Sequence, residues 1–206
     1  MRSSSVFRCA HHTQRNHALC QSRRGLKLAG VLDDLGIDPK GKVCLDVGAS
    51  TGGFTDCLLQ RGAHHVCCID VGKGQLHPKI REHEKVEWKE SFHVKDLTPS
   101  TFEVFFDLVT IDVSFISLRK VLPYVLPCLA PHGMVLAMAK PQFETQKANL
   151  HKGVVKDEML RTHILEELIR DLTRTLPITL QKNVDAPIKG PKGNQETFLL
   201  WTPVKI

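Results

Sequence analysis

Short apolar runs alternate with stretches in which apolar positions recur every three or four residues, and the rhythm holds for most of the chain. The runs Val43–Val47, 65–70, 86–88, 106–112 and 134–139 predict buried strands, while 54–61, 75–82 and 118–129 predict helices between them. A helix is predicted over 26–35, ahead of the turn 37–41. A longer one is predicted over Glu158–Thr175, where Leu160, Ile164, Leu165, Leu168, Ile169 and Leu172 fall on one face. Two more strand-like segments, 179–186 and 196–202, flank a loop over 187–194 rich in glycine, proline and lysine. Strands that alternate with helices predict an α/β domain on a doubly wound, parallel sheet with helices on both faces.

Such sheets bind ligands at the carboxyl ends of their strands, near the point where strand order reverses. Those ends carry Asp46, Asp70, Asp112 and Lys140. The run Val43-Cys-Leu-Asp-Val-Gly-Ala-Ser-Thr-Gly-Gly-Phe-Thr55 reads as a strand, a glycine-rich turn and a helix start. It lacks the Gly-Lys-Ser/Thr end of a phosphate loop and the G-x-G-x-x-G of a dinucleotide site, which argues against a nicotinamide oxidoreductase. An acid-rich cradle suits S-adenosylmethionine, which carries an ammonium, a sulfonium and ribose hydroxyls but no phosphate. The candidate cofactor residues are therefore Asp46, Gly48, Ser50, Gly52, Gly53 and Phe54 in the turn, with Asp70 placed to accept ribose hydroxyls.

Composition narrows the class further. At 206 residues with 42% hydrophobic content the chain suffices for one cored domain over 22–206, preceded by a basic arm over 1–21. A net charge of +6 points to a polyanionic partner such as RNA. No acid precedes Asp33, so the arm is also a candidate organelle-targeting segment. The 7 cysteines form no C-x-x-C pair and have no zinc-like histidine spacing, which predicts no metal site and a reducing, cytoplasmic setting. Pro123, Pro127 and Pro131 interrupt the uncharged run 121–139, so no membrane span is predicted.

Five blocks carry a resemblance: Ser22-Arg-Arg-Gly-Leu-Lys-Leu28, 45–54, Ile111-Asp-Val-Ser-Phe-Ile-Ser117, Lys140-Pro-Gln-Phe-Glu144 and Ile188-Lys-Gly-Pro-Lys-Gly-Asn-Gln-Glu196. Together they resemble the TlyA/hemolysin A family of FtsJ-like ribosomal RNA methyltransferases. The resemblance implies a Rossmann-like, S-adenosylmethionine-dependent fold ending in an antiparallel hairpin, and methylation of a ribose 2′-hydroxyl in ribosomal RNA. It implies a catalytic tetrad at Lys27, Asp112, Lys140 and Glu196, with Lys140 as proton acceptor and the acids orienting the lysines and the sugar. Adenine-site roles fall on Glu90 and His93, where the family pattern has asparagine in place of the histidine. Arg23, Arg24, Lys189 and Lys192 are expected on the RNA backbone. Family members begin with an RNA-binding S4 domain, and only some twenty residues precede the Arg-Arg-Gly-Leu-Lys block. Docking is thus expected to rely on the basic arm or on a separate protein. The alternatives are a non-catalytic RNA- or cofactor-binding module and a hemolysin-type membrane-active protein.

Overall fold

The chain enters through α1 (Arg23–Leu35), whose first turn is capped by the Ser22 hydroxyl accepting from Gly25 N–H at 3.1 Å. It then alternates through β1 (Val43–Val47), α2 (Gly53–Gln60), β2 (His65–Ile69), α3 (Pro78–Arg81), β3 (Val86–Lys89) and β4 (Phe106–Ile111). After α4 (Leu122–Val125) come β5 (Leu129–Ala139), α5 (Pro141–Glu144), α6 (Glu158–Thr175), β6 (Ile178–Asp185) and β7 (Thr197–Pro203). This computed structural model describes residues 22–204, so the arm over 1–21 lies outside the described residues.

The strands form one sheet in the order β3-β2-β1-β4-β5-β7-β6. The first five are parallel, and β7 runs antiparallel to both β5 and β6. Because the path runs outward from β1 to β3 and then returns to β4, strand order reverses between β1 and β4, and the loops leaving those strands diverge into a crevice.

Side chains of the inner strands alternate between two cores. Cys44, Val66, Leu108, Leu136, Met138, Phe198 and Leu200 pack with Leu28, Val31 and Leu32 of α1 and Cys57 and Leu58 of α2. Leu45, Cys67, Val109, Ile111, Val135, Leu199 and Trp201 face the other way, against Leu122, Val125 and the Leu165, Leu168 and Leu172 stripe of α6. This double burial is why the inner strands are apolar nearly throughout rather than alternating, while the edge strands β3 and β6 carry polar residues. Cys44, Cys57, Cys67, Cys68 and Cys128 are all buried small core residues outside any disulfide.

Two predicted helices are corrected. The helix expected over 118–129 is a 3-10 turn (Leu118–Lys120), one turn of α4 and a second 3-10 turn (Leu126–Cys128), because Pro123 and Pro127 supply no N–H to a continuing ladder. The strand expected from 134 already begins at Leu129, which pairs with Phe106 before the register shifts. The helix expected over 75–82 shrinks to α3, with Pro78 at its start and the preceding backbone tied to Glu90.

Candidate active site

The glycine turn is shaped by the neighbouring strand. Gly48 sits at φ 89, and a Cβ there would lie 2.6 Å from the Asp112 carbonyl oxygen, so the turn can cross the end of β4 only without a side chain. Asp46 is wholly buried: its Oδ2 accepts Thr55 N–H at 3.0 Å and the Thr55 hydroxyl at 2.7 Å, which fixes the start of α2. Burial pushes this carboxyl up to about 7, against the lowering effect of the Thr55 bonds. Asp46 thus holds the turn from behind and does not face the crevice. Phe54, expected at the cofactor, is core: it is 2% exposed and stacks on Phe198, with ring centroids 6.1 Å apart.

Asp70 leaves β2 half-buried; its two oxygens accept Ser50 N–H and Gly72 N–H, each at 2.7 Å. A carboxylate offers about four acceptor positions, so capacity for two ribose hydroxyls remains. Glu90 accepts Gln75 N–H at 2.8 Å and Leu76 N–H at 3.1 Å and pairs with Arg81 at 2.7 Å. The Leu76 bond leads in holding its carboxyl below the ordinary range. Glu90 therefore ties down the loop before α3, while His93 is exposed and caps a 3-10 turn through Nδ1. Backbone approach at Gly48, acceptor capacity at Asp70 and the lack of any phosphate-binding cation in the turn fit S-adenosylmethionine.

Beside the crevice lies a cavity of about 580 Å³ lined by Lys27, Asp112, Lys140 and Glu196 together. Lys140 Nζ stands 2.5 Å from Asp112 Oδ1 and donates to the Ser114 hydroxyl at 3.1 Å. Lys27 donates to Glu196 Oε2, a pair whose side chains are each only 4% exposed. Arg24 reaches the other Asp112 oxygen, Nε to Oδ2 at 3.3 Å. Arg23 and Lys192 line the same cavity at its exposed rim, whereas Lys189 is exposed and does not line it.

Sequence reasoning passed over several residues here. Asn194 is buried and clasps two loops, Nδ2 donating to Gly153 O and Oδ1 accepting Val155 N–H, both at 3.1 Å. Glu144 accepts the Ser117 hydroxyl at 2.5 Å and Leu118 N–H at 2.8 Å, anchoring α5 under the cavity wall. Phe115 stands 90% exposed at φ 65 beside Phe143, ring centroids 5.0 Å apart, and both line the cavity. Its signal was an aromatic in the post-β4 loop that no core stripe could absorb.

A family model for the FtsJ-like methyltransferase matches residues 20–202. The chain belongs to that family. Among FtsJ-like relatives, hemolysin A of Brachyspira hyodysenteriae is 39% identical over 177 residues, covering 85% of this chain and 73% of the relative. The 16S/23S rRNA (cytidine-2′-O)-methyltransferase TlyA of Mycobacterium tuberculosis is 40% identical over 179 residues, 86% of this chain and 66% of its own length. The chain thus covers about two thirds to three quarters of the length of these relatives, 73% and 66%. A solved structure of a hemolysin-named protein from Lactococcus lactis superposes with a TM-score of 0.84 at 37% identity, covering 88% of this chain and 87% of that one. The O-methyltransferase TomG of Streptomyces achromogenes, solved with S-adenosylmethionine, shares the fold at a TM-score of 0.63 and 14% identity, covering 93% and 92% of the two chains. Among the described residues no helix is long and apolar enough to cross a membrane.

Proposed function

We propose that this FtsJ-like chain transfers a methyl group from S-adenosylmethionine to a ribose 2′-hydroxyl of ribosomal RNA, the substrate class for which its TlyA relatives are named. The observation that carries the reading is the convergence of Lys27, Asp112, Lys140 and Glu196 on one cavity at the carboxyl end of the sheet, next to the glycine turn. The bound cofactor supplies an electrophilic methyl group on a sulfonium.

The cofactor's ribose is assigned to Asp70, and its amino-acid end to the backbone of the turn at Gly48, Ser50 and Gly52. A ribose hydroxyl is a weak nucleophile near neutral pH and must lose its proton as the methyl group moves. Lys140 Nζ is the acceptor of that proton, and the Asp112 carboxylate beside it stabilises the ammonium produced. Lys27 and Glu196 tie α1 to the start of β7 and hold the sugar's side of the cavity. Five cationic side chains against two acidic ones line the cavity, a balance that draws in a phosphodiester strand. The exposed Phe115 ring beside Phe143 offers a face for a base taken out of its stack.

Incubating the protein with methyl-labelled S-adenosylmethionine and unmodified ribosomal subunits tests this. Label in the RNA with the native chain, and none with Lys140→Ala, is the expected result. Measurable cofactor binding without label would reject catalysis and favour a binding module.

A further inference from the structure

Arg24 joins the cavity floor to its mouth. It is the second residue of α1, and its backbone is locked: Ser22 caps the helix, and a Cβ built on Gly53 would lie 3.2 Å from Arg24 Cβ, so α1 and α2 meet there without slack. Lys27 and Lys140 are buried at the floor, while Arg23 and Lys192 are exposed at the rim. The Arg24 side chain is 38% exposed, yet its Nε reaches Asp112, whose own side chain is 3% exposed. Asp112 is thereby shared: Lys140 holds Oδ1 at 2.5 Å and Arg24 holds Oδ2 at 3.3 Å.

Only Nε of the guanidinium is spent in this way. Its two terminal nitrogens have no hydrogen-bond or ion-pair partner among the described residues. A guanidinium carries five N–H donors in a planar fork, so four remain, in the arrangement that matches two non-bridging oxygens of one phosphate. We propose that Arg24 sets the register of the RNA strand: it grips the phosphate adjoining the target ribose with its terminal fork while its Nε steadies Asp112, so that strand position and the Asp112–Lys140 pair are set by one rigid group. Arg23 and Lys192, which touch neither member of that pair, contribute charge to the strand as a whole and no register.

This inference rests on the ribose methylation reading, and it predicts a split that simple phosphate attraction does not. Arg24→Ala lowers kcat at saturating ribosomal subunits by about tenfold or more, since a displaced strand forfeits alignment. It also reduces the slope of log affinity against log salt by about one, the signature of one lost phosphate contact. Arg24→Lys keeps the salt slope and does not restore kcat, because a point charge on a flexible stem cannot hold a phosphate and Asp112 together. Lys85→Ala, an exposed cation ahead of β3 and outside the cavity, changes neither the slope nor kcat.

The experiment measures methyl transfer at saturating subunits and, separately, the salt dependence of binding to the same subunits by fluorescence anisotropy, for the native chain and the three variants. An Arg24→Ala variant that raises KM alone overturns the register role, and an unchanged salt slope overturns the phosphate contact. Should the native chain transfer no label, the methylation reading itself fails. The binding slopes then still decide the phosphate contact, and a lost slope without turnover rejects the coupling to Asp112.

Discussion

Replacing Lys27 by methionine strands the Glu196 carboxylate where it has just 4% of its surface in water. The converse holds for Glu196→Met, which strands the ammonium. A buried pair cut on one side costs about 3–5 kcal/mol, since the surviving charge keeps its desolvation penalty and loses its partner. Substituting both with methionine removes both charges and fills comparable volume between α1 and β7, so the double variant is expected within about 1 kcal/mol of the native chain. The coupling energy from the cycle is then about 5 kcal/mol or more, and each single variant melts roughly 10 °C lower, given about 2–4 °C per kcal/mol in a domain of this size. Urea unfolding followed by circular dichroism, in parallel with methyl transfer, reads both sides. Stability returns in the double variant and activity does not, which separates what the pair does for the fold from what it does for the reaction. Single costs that add to within about 0.5 kcal/mol in the double variant would refute the buried-pair reasoning.

Gly48→Ala forces a Cβ into the Asp112 carbonyl at a φ of 89, and is expected to cost about 3 kcal/mol and to weaken S-adenosylmethionine binding measured by calorimetry. Asp46 gives a pH dependence of defined sign. Its folded value of about 7 lies above its ordinary 3.8, so the folded state holds a proton that the unfolded state has released, and this group's contribution to stability falls as pH rises from about 4 to about 7. Melting temperatures across that range are expected to slope less in Asp46→Asn than in the native chain. Asn194→Ala leaves Gly153 O and Val155 N–H without their partner and is expected to cost about 2 kcal/mol, with faster proteolysis near 150–156.

The inner strands and the glycine turn were legible because each rests on local pattern: apolar runs, and glycines where a run ends; the order of the strands does not. The pairing of Lys27 with Glu196 was legible only through resemblance to motif blocks, since 169 positions separate the two and no periodicity spans that gap. Sequence also could not say where donors and acceptors are spent. Asp46 and Glu90 look like ligands until Thr55, Leu76 and Arg81 are found using their oxygens. Phe54 was misplaced because a turn and the helix that follows it share residues, and the ring rotates into the α1–α2 core against Phe198. Proline positions 123 and 127 were on view throughout, yet the apolar content of 118–129 outweighed them in the reading.

β7 follows β6 in sequence and yet lies between β5 and β6 in the sheet. Until it is made, β5 has an open edge and β6 has no neighbour. The turn at Gly48 is framed by β1, β2 and β4, but Phe198, on which Phe54 stacks, and Glu196, the partner of Lys27, both arrive with β7. A chain halted before that strand lacks both the ring behind the turn and the carboxylate that Lys27 needs, so the last strand made completes the two sides of the site at once.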